Sequence, residues 1–339
     1  MSKFKIYKFL LIVELLLCSI NNIYAQDTTY VDVLDFMETN NVLWVSQIPP
    51  LKEDVKKLPK GWFKQLIIGK DELTGFQKPI SVIGATPQKC IVFDQGNGTL
   101  FFAENDKLEI PKPFRKKEAY FPSLIAGCML PDNRIIFTDS KLNMIFSLSE
   151  DRKQLKELNK DLALFQPTGI AYSTQKNQIW VVETAKHQIS VLNTNGELIK
   201  TIGKRGVGNA EFNFPTSISI DKDGIAYVVD ALNYRIQIFD AEGNFTSKFG
   251  ENGNGTGYFA RPKGIATDSH CNIYVVDALF HCIQIFDAKG NYLYQFGTQG
   301  SDIEEFWMPS GIFIDASDTI YIADSYNSRI QIFKIDYKQ

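Results

Sequence analysis

The chain has 339 residues, 44% of them hydrophobic, with 25 Phe, 14 Tyr and a formal charge of −3. Such a composition excludes disorder as the main state and leaves room for one large domain or two small ones. Its near balance of charge argues against a nucleic-acid role and against a strong pull towards anionic membranes.

The first stretch, MSKFKIYKFLLIVELLLCSINNIYAQ, carries Lys3, Lys5 and Lys8, then an apolar run from Phe9 to Ile20, then a small residue at Ala25. This is the layout of a secretory signal peptide, so residues 1–25 are expected to be removed and the remainder exported, to a periplasmic, extracellular or surface location. The run is too short for a membrane span and holds Glu14, so no transmembrane segment is expected after its removal. Losing three Lys and one Glu takes the formal charge from −3 to −5. Leu15-Leu16-Leu17-Cys18 resembles a bacterial lipoprotein cleavage box with Cys18 as the lipid acceptor, but Leu17 stands where that pattern has a small residue, and cleavage after Ala25 is preferred. The remaining cysteines, Cys90, Cys128, Cys271 and Cys282, match neither a zinc spacing nor a dense disulfide framework and read as buried free thiols.

Residues 26–60 contain NNVLWVSQIPPLKEDVKKLPK, rich in Pro and Lys and without a sustained apolar period. They read as an extended arm lying on the following domain, or as a partner-binding tail, with Trp44 the anchor in either case.

From residue 61 onward the chain repeats. The acidic residues that end apolar runs, Asp94, Asp139, Glu183, Asp230, Asp277 and Asp324, are spaced 45, 44, 47, 47 and 47 apart. Six residues after each comes an aliphatic: Leu100, Ile145, Ile189, Ile236, Ile283 and Ile330. A proline opens every unit (Pro79, Pro122, Pro167, Pro215, Pro262, Pro309), and Phe76, Phe212, Phe259 and Phe306 precede four of them by three positions. Within a unit, GIATD, NIYVVD, CIQIFD and NYLYQFG are short β-branched and aromatic runs separated by turns such as Asp223-Gly224, Glu242-Gly243 and Lys289-Gly290. Each unit is therefore a four-stranded antiparallel sheet, and a period of this length with four strands fits a propeller blade packed between neighbours.

The fold class expected is all-β, a six-bladed β-propeller over residues 61–339, with repeats near 79–109, 121–160, 165–203, 212–250, 259–297 and 306–335. The sixth unit ends before its outer strand. Leu66 to Gly69 resembles the strands ending at Gly203 and Gly297, so residues 62–69 are expected to complete that blade and clasp the ring shut.

The segment FNFPTSISIDKDGIAYVVDALNYRIQIFDAEGNFTSKFG resembles the NHL repeat, whose pattern runs from a Pro-Gly-Ile opening through YVAD and a polar hairpin to IQVFD. The resemblance covers about residues 165–335 and implies the same six-bladed propeller. EFNFPT, FARPKGIA, YVVDALF and FWMPSGI, in this order, are further similar to a group of exported bacterial NHL proteins, some of them associated with multihaem cytochrome systems. An accessory role in such a system is one alternative implied, although no C-x-x-C-H haem site is present.

Enzymes of this architecture hold calcium or zinc in the central channel, so a metal-dependent hydrolase or lyase is the other alternative. The mature chain has only His187, His270 and His281; the first and last occupy equivalent hairpin places in blades three and five, too far apart to share an ion, and no metal, catalytic or cofactor residue is assigned. Asp221, Asp223, Asp268 and Asp315 read as turn formers, and Asp230, Asp277 and Asp324 as hairpin acceptors of backbone N–H groups. NHL domains of some animal regulators bind RNA through a basic face, a use disfavoured here by export and acidity.

The favoured expectation is a monomeric, non-catalytic scaffold binding a protein or another envelope component. The loops before each first strand and the hairpins between second and third strands belong to one side of the disc. That side gathers Lys186, His187, Asn233, Tyr234, Arg235, Arg261, Lys263, Phe280, His281, Trp307, Tyr326, Asn327 and Arg329 as the candidate partner-binding face.

Overall fold

The structure, a computed structural model, describes residues 40–49, 75–105, 107–114 and 121–337. Among these residues lie six four-stranded antiparallel sheets. Blade 1 comprises Pro79–Thr86, Lys89–Asp94, Thr99–Glu104 and Lys107–Glu109; blade 2, Leu124–Met129, Ile135–Asp139, Met144–Leu148 and Leu155–Glu157. Blade 3 comprises Pro167–Ser173, Gln178–Glu183, Gln188–Asn193 and Leu198–Ile202; blade 4, Pro215–Ile220, Ala226–Asp230, Arg235–Phe239 and Phe245–Phe249. Blade 5 comprises Pro262–Thr267, Ile273–Asp277, Cys282–Phe286 and Tyr292–Phe296. The helical content among the described residues is limited to three-residue 3-10 turns, and no described helix is long and apolar enough to cross a membrane.

The sixth blade is made from both ends of the chain. Ile312–Ile314, Thr319–Asp324 and Arg329–Tyr337 are its inner strands, and Asn40–Ile48 pairs antiparallel with Arg329–Tyr337 as its outer strand. Closure by an N-terminal strand is thus present. The strand that performs it is Asn40–Ile48, which lies in the segment expected from sequence to be an arm, whereas residues 62–69 lie outside the described residues. Arg329–Tyr337 is nine residues long and needs a partner of equal length, which Asn40–Ile48 supplies with Trp44 opposite Phe333. The indole packs against the apolar cluster between blades 5 and 6, so Trp44 does anchor this segment, as a strand residue.

Two-residue alternation explains why each blade binds both neighbours. In blade 5, Ile273 and Val275 enter the cluster shared with blade 4, whereas Tyr274 and Val276 enter the one shared with blade 6. In blade 6, Ile320 and Ile322 face blade 5 while Tyr321 and Ala323 face blade 1. Six such clusters fill the six junctions, and Phe212, Phe259 and Phe306, fully buried, lie within three of them.

Small residues set how closely the first strands crowd the axis. A Cβ on Gly264 would sit 2.5 Å from the Ser310 carbonyl oxygen, and one on Gly311 2.6 Å from that of Ile80. The Pro-x-Gly-Ile openings of blades 5 and 6 are therefore packing requirements, set by neighbouring backbone.

Candidate functional site: the hairpin face and the channel mouth

All six acidic residues bind the loop that leads into their own blade. Gln77, Ser123, Phe165, Asn213, Ala260 and Trp307 donate their backbone N–H to Asp94, Asp139, Glu183, Asp230, Asp277 and Asp324 respectively, at 2.6–3.0 Å. These carboxylates therefore stitch each lead-in loop to the hairpin beside it. At the opposite end, Asp221, Asp268 and Asp315 accept backbone N–H groups two and four residues on, and each also accepts a tyrosine hydroxyl, from Tyr227, Tyr274 and Tyr321.

Several predicted face residues join the blades. His187, at the end of a 3-10 turn, and His281, at the end of the corresponding turn of blade 5, each take φ near 55°. From there Nδ1 of His187 accepts the Phe214 N–H of the next blade at 3.0 Å, and Nδ1 of His281 accepts the Met308 N–H at 3.1 Å. Asn143 does the same for Gln166 at 2.8 Å. The three recipients precede prolines and hold φ of 50–52°, an unusual conformation that these contacts support. His270 lies at the other end, against the Tyr337 ring.

Arg235 and Arg329 point inward, 7% and 5% exposed. Arg329 Nε donates to Asp324 at 2.7 Å, Nη1 to Gln47 at 3.0 Å, and Nη2 to the carbonyls of Asp302 and Glu305, both at 2.8 Å. Arg235 binds Asp230 and the carbonyls of Val207, Gly208 and Glu211 in the same manner. Asn233 and Asn327 tie the same loops through the Gly206 and Gly300 carbonyls. The buried Gln237, Gln284 and Gln331 of the IQIF motif add a further clamp, onto the carbonyls of Glu211, Tyr258 and Glu305. Their recurrence seven residues after Asp230, Asp277 and Asp324 is a readable signal in the sequence.

What the face presents outward is different. Tyr326 (56% exposed), Trp307, Lys186 and Arg261 are exposed, while Tyr234, Phe280, His281 and Lys263 are half-buried. Beside them the sequence reading missed Leu142, Phe165, Phe214, Leu232 and Leu279, exposed apolar side chains on the same loops. Trp307 and Tyr326 lie with ring centroids 5.8 Å apart, and the Lys186 ammonium sits over the Phe165 ring at 4.3 Å. The signal available was positional: Leu142 follows its acid by three residues, Leu232, Leu279 and Tyr326 theirs by two.

Within this ring of side chains opens the central channel, a cavity of about 470 Å³ walled by the first strands of all six blades. Its described lining consists of aliphatic, glycine and hydroxyl residues with Cys128, Met129, Tyr172, Phe313 and Lys263, and holds no carboxylate or imidazole. Burial pushes the Cys128 thiol up to about 12. Among the described residues no three His, Cys, Asp or Glu side chains come together as a metal centre.

The model of a family described as "6-bladed beta-propeller" matches residues 157–226, 222–281 and 269–339, together more than half of the chain. No curated protein sequence matches. Among solved structures, virginiamycin B lyase from Staphylococcus aureus is 17% identical with a TM-score of 0.54, covering 76% of this chain and 95% of its own. A protein of unknown function from Bacteroides thetaiotaomicron is 14% identical with a TM-score of 0.63, covering 79% and 73%. An auxiliary nutrient binding protein from the same organism is 14% identical with a TM-score of 0.61, covering 77% and 70%. Identities this low carry the fold alone.

Proposed function

The chain belongs to the six-bladed β-propeller family, and from that premise we propose that it is an exported, NHL-type binding scaffold that engages a protein or other envelope component through its hairpin face. The observation that carries this reading is the set of seven exposed apolar residues on loops at one end of the disc: Leu142, Phe165, Phe214, Leu232, Leu279, Trp307 and Tyr326. Single exposed apolar residues need no explanation, but aromatic and aliphatic side chains gathered around one opening have the composition of an interface core. The cost of leaving them in water is offset when a partner covers them.

The wall of the channel favours binding over metal chemistry in this reading, because its described lining offers no hard anionic or imidazole ligands. The nutrient-binding neighbour supports recognition as a use to which this fold is put, and the lyase shows that the fold also serves catalysis.

A variant carrying Leu232→Glu, Leu279→Glu, Trp307→Ala and Tyr326→Ala tests the reading by affinity capture from envelope extract beside the parent chain. These side chains are exposed, so folding should be retained and partners lost. A folded variant that captures every partner of the parent removes this face as the interface.

A further inference from the structure

Around the channel mouth the residue after each lead-in proline faces the residue after the acid of the same blade. In three blades both are hydroxyls that bond each other: Ser123 with Ser140 at 2.7 Å, Thr168 with Thr184 at 2.7 Å, and Ser310 with Ser325 at 2.6 Å. Thr184 and Ser325 also reach the Pro215 and Pro79 carbonyls of the next blade, both at 2.6 Å. The mouth is closed there by paired hydroxyls.

Blade 1 has Ile80 and Gln95 at these positions, and blades 4 and 5 break the pattern in a different way. The partner positions are Ala231 and Ala278, while the channel positions are Thr216 and Lys263. Thr216 Oγ1 is buried and has no hydrogen-bond partner. Lys263, half-buried in the wall, has no ion pair or hydrogen bond to its ammonium among the described residues. Blade 5 thus brings an orphan ammonium to the channel wall, whereas the orphan Thr216 hydroxyl of blade 4 is closed off from the channel. Burial, followed by the positive charges of Arg261 and Lys78, holds the Lys263 ammonium below the usual lysine range. Lys78 is bonded to Gln95, whereas Arg261 is exposed and its guanidinium is likewise unpaired among the described residues.

Buried polar groups without partners are retained where something else completes them. We propose that blade 5 carries a binding site for a small organic carboxylate at the hairpin-side mouth of the channel, with the Lys263 ammonium as its donor and Arg261, exposed on the same lead-in loop, as a second positive charge. One ammonium in the wall and a second positive charge at the rim match a single carboxylate group. The aliphatic wall suits an apolar body in a cavity sized for a small molecule. Inorganic phosphate has no apolar body to set against the aliphatic part of that wall. This site stands on the interior of the mouth, apart from the exposed apolar rim proposed above to hold a larger partner.

Titration calorimetry of the purified chain with hexanoate, 1-hexanol and inorganic phosphate tests it. The expected result is saturable binding of hexanoate, with hexanol and phosphate each weaker by roughly tenfold or more. Lys263→Met and Lys263→Gln should each weaken hexanoate by a similar factor, Lys263→Arg should retain part of it, and Tyr326→Ala should leave it unchanged. Hexanoate should also protect Lys263 from an amine-modifying reagent followed by mass spectrometry. No saturable binding, equal binding by the alcohol, phosphate binding as tight as hexanoate, or full binding by a folded Lys263→Met chain overturns the proposal. Loss of envelope partners from the rim variant with hexanoate binding intact would separate the two sites.

Discussion

Replacing Arg329 with Met tests whether the arginines of the RIQIF segments are latches or surface contacts. The guanidinium holds Asp324, itself fully buried, together with Gln47 of the N-terminal strand and two loop carbonyls. Methionine keeps the apolar volume and removes every donor. The carboxylate is left buried with the Trp307 N–H, Asn327 and Gln331 as remaining donors. Breaking a buried pair from one side costs about 3–5 kcal/mol, which for a chain of this size is a fall in melting temperature of roughly 5–8 °C. Thermal and urea unfolding followed by circular dichroism gives the number. Arg235→Met removes the equivalent network of blade 4 but no contact to the N-terminal strand, so it should cost less by about the worth of one hydrogen bond, ~1 kcal/mol. Combining Arg329→Met with Asp324→Asn should cost less than the sum of the two by ~1 kcal/mol or more. An Arg329→Met chain within about 1 kcal/mol of the parent would refute the latch and return Arg329 to the list of surface contacts.

Further expectations follow from the same contacts. Gly311→Ala places a methyl 2.6 Å from the Ile80 carbonyl oxygen and should destabilise by roughly 1–3 kcal/mol in urea unfolding, while Gly208→Ala, which meets only the Glu211 side chain at 3.0 Å, should be close to neutral. Lys263→Met removes an unpaired, partly buried cation and should stabilise by about 0.5–2 kcal/mol at neutral pH. Because the folded-state pKa of Lys263 lies below the ordinary 10.5, its charge costs stability below that lowered value; the gain from Lys263→Met should shrink as pH rises towards 10.5 and should not grow. Thiol titration of the folded chain near neutral pH should leave Cys90 and Cys282 unmodified, since burial pushes both up to about 12, and modification of either before Cys271 would contradict the packing.

Most of the ring could be read from the chain because a propeller repeats its chemistry. Each acid ends a second strand where backbone N–H groups converge, and each following IQIF or its variant alternates between two blade junctions, so spacing alone reveals the unit. The last outer strand escaped because Asn40–Ile48 carries no glycine stop and no proline opening; its place is decided by the length and apolar face of Arg329–Tyr337. The hairpin residues were harder for another reason. Arg235 and Leu232 stand three residues apart in one hairpin, yet one turns in to bind carbonyls and the other turns out, a difference set by the 3-10 turn ending at Tyr234 with φ 54°. Local composition does not encode that direction. The mouth of the channel was hidden because its logic runs between residues 15–17 apart, and only the aligned pairs Ser310/Ser325 and Lys263/Ala278 show where the hydroxyl pattern stops.

The central claim is that the hairpin face, and not the opposite one, meets a partner. Photo-crosslinking groups placed singly at Leu232, Leu279 and Tyr326, and at Asp223 and Ser317 on the turns of the other side, test it directly in envelope preparations. The account predicts one shared adduct from the three hairpin positions and none from the two turn positions. Adducts from Asp223 and Ser317, with none from Leu232, Leu279 or Tyr326, would contradict it.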